Sequence, residues 1–165
     1  MFCIGDKIIY GNSGVCEVQD ITTLDLNNAH AGELYYVLKP LYQTCTVYTP
    51  VDNDKVLMRP VISKREAEKL ITKIPKMRVD AYSCESLNEL SGHYQSVINT
   101  LDGEELIRLT MSIYTKNQLR TEQKLKPGAI DQKYMKQAED LLFGEFAVAL
   151  GIQKEEVADY IAGKV

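Results

Sequence analysis

Apolar positions alternate with polar ones through the first 60 residues and then switch to a helical period. The opening stretch Phe2-Cys3-Ile4-Gly5-Asp6-Lys7-Ile8-Ile9-Tyr10-Gly11-Asn12-Ser13-Gly14-Val15 reads as strand, tight turn, strand. Two further runs, Leu34 to Lys39 and Thr44 to Thr49, are rich in Val, Tyr, Thr and Leu, most of which suit a pleated, half-buried surface. Gly5-Asp6 and the Asn12–Gly14 stretch supply residues that tolerate positive φ. Four or five short strands in this span predict a small SH3-like or Tudor-like β-barrel over residues 1–60.

From residue 61 the apolar period lengthens to 3.6. Ser63-Lys64-Arg65-Glu66 is a capping-box pattern, followed by Ala67, Leu70, Ile71 and Ile74 on one face and a stop at Pro75. Ser86-Leu87-Asn88-Glu89 is a second such pattern. It opens a helix with Leu87, Leu90, Tyr94, Val97, Ile98 and Leu101 on its apolar face. A third helix is predicted over about 103–123, with Asp102 as its cap and Leu106, Leu109 and Ile113 inward. Pro127-Gly128 marks a turn, Asp131 begins a long helix that ends at Gly151, and a short helix follows near 153–162. The fold class is therefore α+β, with a bundle of four or five helices over residues 61–165.

The blocks FCIGDKIIYGNSGV, YYVLKP, TVYTPVDN and VISKREAEKL resemble, in order and spacing, the N-terminal module of the CarD/CdnL family of bacterial transcription regulators. A related module occurs in the transcription-repair coupling factor, whose ATPase motors are not in this sequence. The helical half resembles that family more loosely, through the Tyr94 helix, the basic third helix and LLFGEFAVAL. The resemblance implies a barrel that binds the β subunit of RNA polymerase and a helical domain that touches promoter DNA.

Composition narrows the possibilities. The chain has 45% hydrophobic and 25% charged residues, which is ordinary for a globular protein. It contains no apolar run near 18 residues and no signal-peptide pattern, so a cytoplasmic protein without membrane contact is expected. Cys3, Cys16, Cys45 and Cys84 lack metal-ligand spacing, and His30 and His93 are near none of them in sequence. These thiols read as scattered packing groups, with Cys16 and Cys45 able to face each other across strands. Phosphate-binding, dinucleotide, zinc-protease and serine-hydrolase motifs are missing. The expectation is a non-enzymatic binding protein with no metal or organic cofactor.

The candidate sites follow. For polymerase, the resemblance implies a strand-edge contact, and the candidate edge is Thr44 to Thr49 followed by Pro50, with Thr46, Val47 and Tyr48 between them. Several family members carry Arg where this chain has Leu24 and Tyr48. For DNA, Lys116, Arg120 and Lys124 recur every four residues, and Lys126 follows in the exit loop. Between Arg108 and Lys126 there are five positive residues against Glu122 alone. Such a stripe can neutralise phosphates or be a solvated helix face. Well-studied family branches insert a Trp into the minor groove beside the melted promoter. This chain has no Trp, and the matching position is Leu90, with His93 and Tyr94 beside it as further candidates for the DNA contact. Leu90 is either an apolar wedge or a core residue in register with Leu87, Tyr94 and Val97. With a net charge of −4, and four basic against seven acidic residues in 1–60, strong autonomous DNA binding is excluded. The expected function is modulation of open-complex stability by weak, polymerase-tethered DNA contacts. The alternative is an adaptor that docks on polymerase without productive DNA contact.

Overall fold

The computed structural model describes residues 1–23 and 32–164, so Leu24 and His30 lie outside the described residues. The chain is α+β and divides into two compact units, Met1–Ile62 and Ser63–Val165.

The first unit is a five-stranded, wholly antiparallel, Tudor-like sheet. Its strands are β1 (Lys7–Tyr10), β2 (Val15–Thr23), β3 (Leu34–Pro40), β4 (Val47–Pro50) and β5 (Met58–Pro60). They are ordered β4-β3-β2-β1-β5, so β4 and β5 are its two edges. A 3-10 turn, Gly11–Ser13, joins β1 to β2. Gly11 has φ +46°, and a Cβ there would lie 2.7 Å from Val56 Cγ1, so glycine is required for both conformation and space. Its N–H donates to the Leu57 carbonyl, which holds the segment before β5 against the turn.

The register of β2 on β3 shifts between Val18 and Asp20. Without the extra residue, strict alternation would send Asp20 to the same face as Val18. The bulge instead pairs Asp20 with Val37 and returns Ile21, opposite Tyr36, to the core side. That core is built from Ile8, Cys16, Val18, Tyr36 and Leu38, with Phe2, Tyr10, Ile21 and Val47 packed on it. Tyr36 is almost fully buried, and its hydroxyl accepts a hydrogen bond from the Phe2 main chain at 2.9 Å. Cys16 stands opposite Ile8 and Pro40, whereas Cys45 lies outside any strand. The cross-strand pairing of the two cysteines is therefore not formed, and both are free thiols. Burial, with a smaller contribution from Cys45, pushes the Cys16 thiol up to about 11, so it packs as a small neutral group.

The second unit contains α1 (Lys64–Lys73), α2 (Leu87–Asn99), α3 (Gly103–Glu122), α4 (Ala129–Leu150) and α5 (Val157–Lys164). Helices α1, α2, α3 and α5 each pack on α4. Ser63 forms the full reciprocal capping box with Glu66. Ser86 also caps, accepting from the Glu89 N–H, but the Glu89 carboxylate accepts from the Cys84 thiol at 3.1 Å instead of bonding back to the Ser86 N–H. Asp102 caps α3 through the N–H groups of Glu104 and Glu105. Gly151 ends α4 in the left-handed conformation. Gly103 admits α1 closely, since a Cβ there would lie 2.9 Å from Leu70 Cδ1.

Three further sequence expectations need correction. Leu87, assigned to the apolar face, is 64% exposed: it shares the direction of Leu90, Tyr94 and Ile98 but is the first residue of its helix, at the open end of that stripe. The helix expected to begin at Asp131 begins at Ala129, which places Asp131 inside the first turn, buried. The strand expected over 44–49 is Val47–Pro50, so Thr44 and Thr46 precede it and are exposed.

Candidate functional site

Strand β4 is one free edge of the first unit, and its register defines what that edge offers. The Val51 N–H donates to the Leu34 carbonyl at 2.9 Å. In antiparallel pairing the hydrogen-bonded pairs recur every second residue, so the next are Tyr36–Thr49 and Leu38–Val47 in the observed register. Val47 and Thr49 therefore turn their main-chain groups toward β3. Tyr48 and Pro50 turn theirs outward. Proline has no N–H, and the Pro50 carbonyl accepts from the Asn53 N–H at 3.0 Å in the following turn, which leaves the Tyr48 N–H and carbonyl as the outward main-chain groups of β4. The Tyr48 side chain is 54% exposed and stands opposite Val37. Thr49, by contrast, is buried.

The second unit rearranges the residues assigned to DNA. Leu90 is 4% exposed. It projects from the buried side of α2 together with Tyr94 and Ile98, and the exposure that a wedge between bases needs is absent. Tyr94 is fully buried. Its hydroxyl donates to Asp131 Oδ1 at 2.6 Å. Burial first, and this bond to a carboxylate second, push its phenol well above the ordinary tyrosine value of 10.0. The same oxygen of Asp131 accepts from Lys116 Nζ at 3.0 Å, with the lysine side chain only 12% exposed. Lys116 is thus an internal tie between α3 and α4, taken out of the basic stripe by a carboxylate fifteen residues away.

The remaining cations lie at the end of α3. Arg120 is in the last turn, and its Nε donates to the Lys126 carbonyl at 2.7 Å, closing the α3–α4 turn. Lys124 lies beyond the helix at φ +61°. The N–H of Leu125 bonds back to the Arg120 carbonyl and that of Lys124 to the Thr121 carbonyl, the pattern of a left-handed helix terminus. Lys124 is therefore off the helix face that its four-residue spacing implied. Lys124 and Lys126 are exposed and Arg120 is partly so, giving a three-cation corner in place of a stripe. His93 is partly exposed, and its ring stacks on Tyr82 at 3.8 Å.

Tyr82 is the residue that sequence reasoning missed. It lies in the loop between α1 and α2, where periodicity carries no information, and an aromatic side chain in a loop was the only available signal. Among the described residues, no cluster of His, Cys, Asp and Glu could hold a metal ion. Likewise no described helix is long and apolar enough to cross a membrane.

No curated protein matches the chain. Residues 2–62 match the family model of the CarD-like/TRCF RID domain, a span that coincides with the first unit and contains the β4 edge. The chain therefore carries at its N-terminus a CarD-like domain of an RNA polymerase-interacting family.

Proposed function

We propose that this protein is a non-enzymatic transcription regulator that docks on the β subunit of RNA polymerase through the β4 edge of its N-terminal unit. The observation that carries this reading is the exposed Tyr48 edge within the CarD-like span. A partner strand can add there by main-chain hydrogen bonding, with the Tyr48 ring supplying side-chain contact. Tyr48 and Pro50 would form the contact, with Thr44 and Thr46 on its approach, while Val47, paired with Leu38 and packed on the core, would hold the strand in place. Docking then holds the helical unit near promoter DNA at high effective concentration. Arg120, Lys124 and Lys126 would make weak phosphate contacts there and bias the open complex by differential affinity.

A second reading, polymerase docking without productive DNA contact, is favoured by two observations: Lys116 is paired with Asp131, and Leu90 is buried. Binding of the full chain to purified polymerase, with and without promoter DNA, separates the two. Tyr48→Glu places a charge on an exposed side chain without removing a ladder bond. It is expected to weaken polymerase binding while leaving the melting temperature unchanged. Unchanged affinity would exclude this edge. If promoter DNA adds nothing to the affinity of the wild-type chain, the docking-only reading stands.

A further inference from the structure

The loop between α1 and α2 roofs a cavity of about 210 Å³ in the helical unit. Ser112 of α3 pins this loop in two places: its hydroxyl donates to the Asp80 carbonyl at 3.0 Å and accepts from the Tyr82 N–H at 3.1 Å. That anchoring delivers the Tyr82 ring onto His93, nearly parallel at 20°. Val79, Val97 and Leu109 supply the apolar part of the lining.

The charged part of the lining is unequal. Arg108 contributes one cation, but Glu104 holds it at 3.3 Å. Asp80 and Glu105 contribute two exposed carboxylates, neither of which forms an ion pair among the described residues. An aromatic wall, an apolar surface and unneutralised carboxylates together match a cation on an aliphatic stem. The volume suits one side chain better than a drug-sized molecule, whose sites run from about 300 Å³ upward. A guanidinium satisfies all of these features: it stacks on aromatic rings and bonds carboxylates, while its methylenes cover apolar surface.

The geometry points to this cavity as a receptor for an arginine side chain of a partner protein, a second protein-docking site separate from the β4 edge. The site lies wholly in the helical unit and does not depend on how the first unit is used.

The test is an NMR titration of the full chain with arginine capped at both ends, followed at the His93 ring and at the amides of residues 79–82. Capped citrulline, of the same shape but uncharged, and capped glutamate are the comparison ligands. Saturable shifts are expected with arginine, with citrulline binding about tenfold more weakly, as expected for loss of a charge-assisted hydrogen bond. Glu105→Gln should weaken arginine binding about fivefold, and Tyr82→Leu, which keeps apolar bulk but removes the π-face, by a similar factor. Far-UV circular dichroism and thermal melting verify that both variants fold. If arginine gives no saturable shift, or citrulline or glutamate shifts the same signals equally, the assignment is overturned. It is also overturned if both folded variants bind arginine as the wild type does.

Discussion

Tyr94 and Lys116, on different helices, share one acceptor, Asp131 Oδ1, at 2.6 Å and 3.0 Å. This tie joins three helices through a carboxylate whose side chain is 3% exposed. Its charges are matched, so its value depends on both partners remaining. Asp131→Ala would leave an ammonium group unpaired in a site that is 12% exposed, and a loss of about 3–5 kcal/mol is expected. Asp131→Asn, which retains an acceptor for the Tyr94 hydroxyl, should lose less. Urea denaturation at neutral pH measures both. A loss under about 1 kcal/mol for Asp131→Ala would mean that Lys116 swings out to water.

The same tie makes the fold sensitive to alkali. The folded protein holds the Tyr94 proton more tightly than the unfolded chain, because burial and the neighbouring carboxylate both disfavour phenolate. The contribution is therefore complete below pH 10 and is lost as the pH rises past the unfolded value of 10.0. Stability should decline above pH 10, and Tyr94→Phe should make that decline shallower. Parallel slopes in wild type and variant would show that Tyr94 does not control it.

Leu90→Ala removes a side chain that is 4% exposed. The expected cost is about 2–5 kcal/mol, from lost burial and the cavity left behind. Thermal melting reads this directly, and any effect on promoter complexes should scale with the loss of folded protein. A large promoter effect with normal melting would return Leu90 to a contact role.

Lys124 occupies a left-handed position that favours glycine. Lys124→Gly should raise stability by about 1 kcal/mol by relieving that conformation. If Lys124 also contacts phosphate, the same change should flatten the dependence of log K on log salt by about 0.9 in the polymerase–promoter complex. A more stable variant with an unaltered slope would leave Lys124 as a solvated turn residue.

What could be read from the sequence was local. The Ser63–Glu66 cap, the Gly151 terminus and the turn glycines depend on neighbours within four residues, and they stand where the pattern placed them. The charges were harder. The spacing of Lys116, Arg120 and Lys124 describes one helix face, but α3 ends at Glu122 and Asp131 comes back from the next helix to claim Lys116. Leu90 was ambiguous for a related reason. Its register fits a core stripe and its position four residues before Tyr94 fits the family's wedge, and packing of α2 against α3 and α4 decides between them. The Tyr82–His93 stack depends on a hydroxyl thirty residues away pinning a loop, a contact with no counterpart in local pattern.

The proline that closes β4 also limits what the exposed edge can become. With one outward N–H in the strand and none at Pro50, β4 offers a template only about one rung long. A second copy of the chain laid against it could not extend a ladder, so repeated strand-on-strand stacking has no continuous track to follow. The same proline that shortens the edge therefore leaves copies of the chain no continuous ladder to build on it.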